Sequence, residues 1–164
     1  MFGDKQRVIG IDPGLCRSGI GVVECSGNHL RYIFHDVIKT RAQESHDVRL
    51  AKIFRGISDI IHKYEPNAAA VEAIFVNKNP GTSLKLEMAR GVCICAPAMC
   101  GLSVYEYSAN KIKKSVTGHG HATKDSIAYM VSHLLCHDGL KADAADAMAV
   151  AITHIYHSTN HARY

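Results

Sequence analysis

One segment constrains the fold more than any other. From Ala142 the chain reads Ala-Asp-Ala-Ala-Asp-Ala-Met-Ala-Val-Ala-Ile, which at helical spacing is apolar nearly all round. A helix of that kind is buried on most sides. Asp143 and Asp146 lie three residues apart in it, so they share one face. An unpaired carboxylate in such surroundings costs several kcal/mol. The fold has to bring these two acids something positive.

The remainder of the chain offers a sheet for that helix to lie on. Residues 7–11, 18–25 and 29–39 read as strands, punctuated by Pro13-Gly14 and by Ser26-Gly27-Asn28, and form an antiparallel meander. In the third, Leu30, Tyr32 and Phe34 fall on one parity. The period then changes: Leu50, Ile53, Phe54, Ile57, Ile60 and Ile61 recur at three and four, giving an amphipathic helix over 46–64 that Pro66 ends. A short buried strand over 68–71, a polar loop over 77–80 and a helix over 82–96, kinked or ended near Pro97, come next. A fifth strand over 104–107 precedes helices over 110–117, 124–135 and 142–157. A meander followed by βαβ crossovers predicts an α/β protein with one mixed five-stranded sheet and helices on both faces. No repeat or linker divides the chain, so residues 1–164 are expected to form a single domain.

Composition limits the classes further. At 164 residues and 47% hydrophobic, the chain can bury a core without disulfide or metal staples. A net charge of +4 permits a polyanionic partner without demanding one. No apolar run approaches the roughly 18 residues that span a bilayer, and the first seven residues hold no apolar signal core. The expectation is a soluble, cytoplasmic protein. Its six cysteines lack CxxC spacing, and Cys93, Cys95 and Cys100 fall in an apolar stretch. All six are expected to be reduced and buried. His119 and His121 read as a solvated loop rather than a ligand pair.

Two more acids stand out. Asp12 ends the first strand and Glu72 follows the fourth. Each has an ordinary reading: Asp12 as a turn residue, Glu72 in an ion pair, Asp143 as a helix cap. Asp146, a turn deeper in the apolar helix, resists one. If strands one and four are neighbours, Asp12 and Glu72 emerge side by side, and the last helix can lay Asp143 and Asp146 against them. Shared divalent cations are the cheapest way to keep four acids charged at one spot, and Mg²⁺ and Mn²⁺ favour such oxygen ligands. The alanines around both Asp would leave space for a phosphate backbone.

Ile9-Gly-Ile-Asp-Pro-Gly14, Val71-Glu-Ala-Ile-Phe75 and Ala142-Asp-Ala-Ala-Asp-Ala-Met-Ala-Val-Ala151 resemble the RuvC family of Holliday junction resolvases. Leu84-Lys-Leu86, Ala89-Arg-Gly-Val92 and Tyr105-Glu-Tyr107 resemble it at corresponding places, so the likeness runs over residues 8–157. It implies a ribonuclease-H-like fold and a homodimeric crossover junction endodeoxyribonuclease. Such an enzyme cuts four-way DNA junctions in recombination and repair, leaving 5′-phosphate and 3′-hydroxyl ends. It also implies two Mg²⁺ per active site, with Mn²⁺ as a substitute, and partnership with the RuvA–RuvB branch-migration complex.

By position, Asp12, Glu72, Asp143 and Asp146 match the family's catalytic, metal-holding quartet. Lys124 matches an active-site lysine, placed to neutralise charge on the scissile phosphate. Lys113 matches a DNA-contacting lysine and Phe75 an aromatic near the junction crossover. Lys78, Lys85, Lys111 and Lys114 add cations for backbone phosphates, against the plain alternative of a solvated surface. Helix 82–96, with Leu84, Leu86, Met88, Val92 and Ile94, is the candidate dimer contact; Pro97 and the cysteine cluster there depart from the family's pattern. Three rivals remain: a ribonuclease H acting on RNA–DNA hybrids, an actin-like ATPase, and a non-catalytic DNA-binding scaffold. The ribonuclease H pattern takes a glutamate from the first long helix, which here holds only Asp47 and Asp59. The ATPase pattern needs two related domains.

Overall fold

The computed structural model describes residues 5–73 and 80–161. Among these residues ten elements follow one another: β1 (Gln6–Asp12), β2 (Arg17–Ser26), β3 (His29–Lys39), α1 (His46–Tyr64), β4 (Ala68–Ala73), α2 (Pro80–Met99), β5 (Val104–Ser108), α3 (Ala109–Thr117), α4 (Lys124–Leu135) and α5 (Ala142–His161). The strands form one mixed sheet in the order β3-β2-β1-β4-β5. The meander is antiparallel, whereas β4 and β5 run parallel to β1, as helical crossovers require. None of the described helices is long and apolar enough to cross a membrane.

Strand alternation divides the apolar side chains into two cores. Ile9, Ile11, Ile20, Val22, Ala69 and Val71 pack with Ile53 and Ile57 of α1 and with Ala89, Cys93 and Ala96 of α2. On the opposite face, Val8, Ala68, Ala70 and Tyr107 pack with α3, α4 and the buried length of α5. Three corrections to the sequence expectations have local causes. The register of β2 with β3 slips between Val22 and Val23, skipping Ile33, so Tyr32 and Phe34 lie in different cores. A bulge of this kind reverses the side-chain parity beyond it. Helix α2 continues through Pro97 to Met99, because in a last turn the proline removes only one intrahelical bond. Only Cys25 and Cys93 are buried, and all six thiols are free; Cys95 stands on the outward side of α2.

The small residues of α5 have a different use from the expected one. A Cβ on Gly10 would lie 2.2 Å from the Ala147 carbonyl oxygen, and one on Gly19 would lie 3.0 Å from that of Asp143. Ala144, Ala145 and Ala147 are buried. Glycine on the sheet and alanine on the helix together let α5 sit almost on the backbone of β1 and β2. The alanines bring the helix close to the sheet.

Candidate active site

The register places the first two acids. Gly10 pairs with Ala70 and Ile11 with Val71, so the next residues along the parallel pair are Asp12 and Glu72. Val8 and Ala68 face α5, and period-two alternation turns Asp12 and Glu72 the same way. Helix α5 supplies Asp146. The helix that follows β5 supplies Lys113, and the first residue of α4 is Lys124. These five side chains line one cleft of about 240 Å³, whose remaining wall includes Ile112, Ile127 and Ala149.

Electrostatics marks the cleft as strained for anions. Burial, followed by the charges of Glu72 and Asp146, pushes the Asp12 carboxyl up to about 7, although Lys124 opposes the shift. Glu72 is raised by the same burial and by Asp146, with Lys113 and Lys124 working against it. Lys124 is raised chiefly by Asp146, to which its Nζ donates a hydrogen bond of 3.3 Å. Two ammonium groups therefore face three carboxylates, and the balance is left to protons.

Asp143 stands apart. Its carboxylate is about half exposed, accepts from Arg17 Nε at 3.1 Å and forms an ion pair with the same guanidinium. It does not line the cleft, though its charge is felt at both Asp12 and Lys124. Among the described residues, no three Asp, Glu, His or Cys side chains are drawn together tightly enough to cage a metal ion. The donors themselves suit a hard divalent cation: they are all carboxylate oxygens, and the burial and repulsion that raise Asp12 are what a cation would offset.

Of the other anticipated residues, Phe75 and Lys78 lie outside the described residues. Lys114 and Lys111 are exposed on α3, with the Lys111 ammonium 5.1 Å from the centre of the Tyr107 ring. Lys85 is exposed on α2, in the layer across the sheet from the cleft. Arg17 was missed. Its only signal is positional, two residues before Gly19, which pairs with Asp12.

A sheet of this order, with acids at the ends of β1 and β4 and on the helix packed across them, defines a ribonuclease-H-like nuclease. The family model for crossover junction endodeoxyribonuclease RuvC matches residues 8–154. This chain belongs to the RuvC family. It is 45% identical over 159 residues to the RuvC of Bartonella quintana (strain Toulouse), covering 96% of this chain and 94% of that one. With the Methylocella silvestris RuvC it shares 50% over 149 residues, 90% of this chain and 85% of the relative. The structure of Thermus thermophilus RuvC in complex with Holliday junction substrate superposes with a TM-score of 0.88 at 32% identity. That match covers 95% of this chain and 96% of the other. Nucleases of this family are metal-dependent.

Proposed function

We propose that this chain is a structure-selective endonuclease that resolves four-way DNA junctions during recombination and repair, leaving 5′-phosphate and 3′-hydroxyl ends. The observation that carries the reading is the convergence of Asp12, Glu72 and Asp146 with Lys113 and Lys124 in one cleft of a RuvC-family chain. The ribonuclease H alternative lacks its acid. Helix α1 packs on the other face of the sheet, holds no glutamate, and its Asp47 and Asp59 are exposed.

Asp12, Glu72, Asp143 and Asp146 are the proposed ligands of divalent metal, with magnesium at two ions per site and manganese as a substitute. Divalent cations held there would lower the pKa of the attacking water and neutralise charge on the phosphate and the leaving 3′-oxygen. The protein's own groups do the rest. Asp12, whose carboxyl is pushed up to about 7 in the metal-free chain, would have to give up its proton to hold a cation. Lys124, held charged by Asp146, offers Nζ to a non-bridging oxygen of the scissile phosphate. Lys113 offers a second cation on the Glu72 side of the cleft.

Lys78, Lys85 and Lys114 are assigned to flanking backbone phosphates, and Phe75 to stacking on a base at the crossover. Resolution needs two cuts, and a two-fold dimer supplies two sites in matching relation. The outward side of α2 is where the second copy is expected: Leu84, Gly91, Cys95, Ala98 and Met99 are all exposed and recur at helical spacing. Partnership with RuvA–RuvB, a cytoplasmic location and a single nuclease domain over residues 1–164 complete the reading.

The test is cleavage of a labelled four-way junction by Asp12→Asn, Glu72→Gln, Asp143→Asn and Asp146→Asn. Each is expected to lose about 100- to 1,000-fold or more in cutting rate while still binding the junction. Near-wild-type cutting by any of them removes that residue from the chemistry.

A further inference from the structure

The fourth acid of the quartet is already taken by a cation of the protein's own. Arg17 begins β2, and Gly19, two residues on, is the strand partner of Asp12. The Asp143 carbonyl would lie 3.0 Å from a Cβ on Gly19, so the first turn of α5 lies against β2 two residues along from Arg17 and beside the strand partner of Asp12. From there both Nε and a terminal nitrogen of Arg17 reach the same Oδ2 of Asp143. Both donors sit on one oxygen, so a divalent cation ligated there has to displace at least one of them, and its charge repels the guanidinium beside it.

We propose that Arg17 is a resident counter-ion that competes with divalent metal for Asp143, and that metal binding releases its guanidinium to a DNA backbone phosphate. The inference rests on the four acids being the metal-holding group. Both partners are about half exposed, 55% for the Arg17 side chain and 46% for that of Asp143. The pair is therefore weak enough to exchange: an exposed ion pair contributes between about 0.2 and 1 kcal/mol, a competition of roughly 1.4- to 5-fold in affinity. An arginine freed at the rim keeps its charge and its planar donor fork, which suits a phosphate as well as a carboxylate. Charge is conserved in the exchange: the metal takes the carboxylate, and the phosphate takes the guanidinium.

The experiment reads metal binding without turnover. Manganese titrations, followed by calorimetry or by the resonance of free Mn²⁺, compare wild type with Arg17→Gln, Arg17→Lys and Asp12→Asn, with melts in EDTA to show that each is folded. Arg17→Gln is expected to bind Mn²⁺ about 1.4- to 5-fold more tightly than wild type, with Arg17→Lys between them. Junction affinity is then measured with calcium and with EDTA. Arg17→Gln should match wild type in EDTA and fall at least about two-fold below it in calcium. Equal or weaker Mn²⁺ binding by folded Arg17→Gln, or equal junction affinity in calcium, overturns the inference and leaves the metal-holding quartet standing. If wild-type Mn²⁺ binding is absent, or survives unchanged in Asp12→Asn, the quartet itself fails and this inference falls with it.

Discussion

Asp12 is the side chain whose chemistry is most altered by its surroundings, and the sign of that change is testable. Its carboxyl titrates at about 7 against an ordinary 3.8, because burial and the neighbouring Glu72 and Asp146 disfavour the charged form. Between those values the folded, metal-free chain holds a proton that the unfolded chain has lost, so stability falls as pH rises from about 4 to 7. Asp12→Asn abolishes the effect. It is expected to stabilise the metal-free protein by about 2–4 kcal/mol at pH 8 and to give little gain at pH 4. Thermal melts in EDTA at the two pH values check it. Glu24 has the opposite sign. Burial works to raise it, but hydrogen bonds from Arg7, Lys5 and Arg31 prevail and hold it at about 2 against 4.5. Its contribution is complete above about pH 4.5 and is lost as pH falls through 2. Glu24→Gln should therefore cost about 1–3 kcal/mol at pH 7, with the difference closing in acid, as urea titrations across that range will show. The Asp12, Glu72 and Asp146 positions were legible in the sequence because carboxylates at the ends of apolar strands and inside an apolar helix are costly without a purpose. The Arg17 pairing was not, since nothing local marks an exposed arginine 126 residues from its partner.

Helix α5 positions the site, and it does so through two small-residue surfaces. Gly10→Ala places a Cβ 2.2 Å from the Ala147 carbonyl, so the helix has to lift off β1. The expected cost is about 1–3 kcal/mol, accompanied by slower junction cutting as Asp146 moves away from Asp12. A wild-type melting temperature would show that α5 is not seated as tightly as described. Strand order and helix boundaries were mostly readable, because hydrophobic period changes cleanly between 2 and 3.6. The β2–β3 slip was not, since a bulge is set by pairing between strands and leaves no mark in either alone. Helix α2 shows the same limit. Its inward residues Ala89, Cys93 and Ala96 are small and buried, whereas Leu84 and Met99 are 64% and 73% exposed. Sequence reading found an apolar helix but not which side lacks a partner. Leu84→Glu, on the open side, is expected to turn dimers into monomers without loss of fold, measured by sedimentation and circular dichroism. A monomeric wild type would contradict the assignment.

At the scale of the molecule, one sheet with α5 laid across its glycines gathers acids from β1, β4 and α5, while α3 and α4 contribute the lysines at the cleft. Helix α2 lies on the other face of the sheet, and its outward residues Leu84, Cys95 and Met99 are exposed among the described residues, which is where a second copy is proposed. The two functions are thus assigned to opposite layers, which is why a change on α2 should alter pairing of cuts without touching the chemistry of each. Both layers serve one property, metal-dependent selectivity for four-way junctions. It is tested most directly by single-turnover cleavage of three labelled substrates, a four-way junction, a linear duplex and an RNA–DNA hybrid, each with magnesium and with EDTA. Paired, symmetric cuts are expected in the junction with magnesium and not with EDTA, ending in 5′-phosphate and 3′-hydroxyl, with little cutting of the other two. Equal cutting of duplex or hybrid, or junction cutting that persists in EDTA, would contradict it.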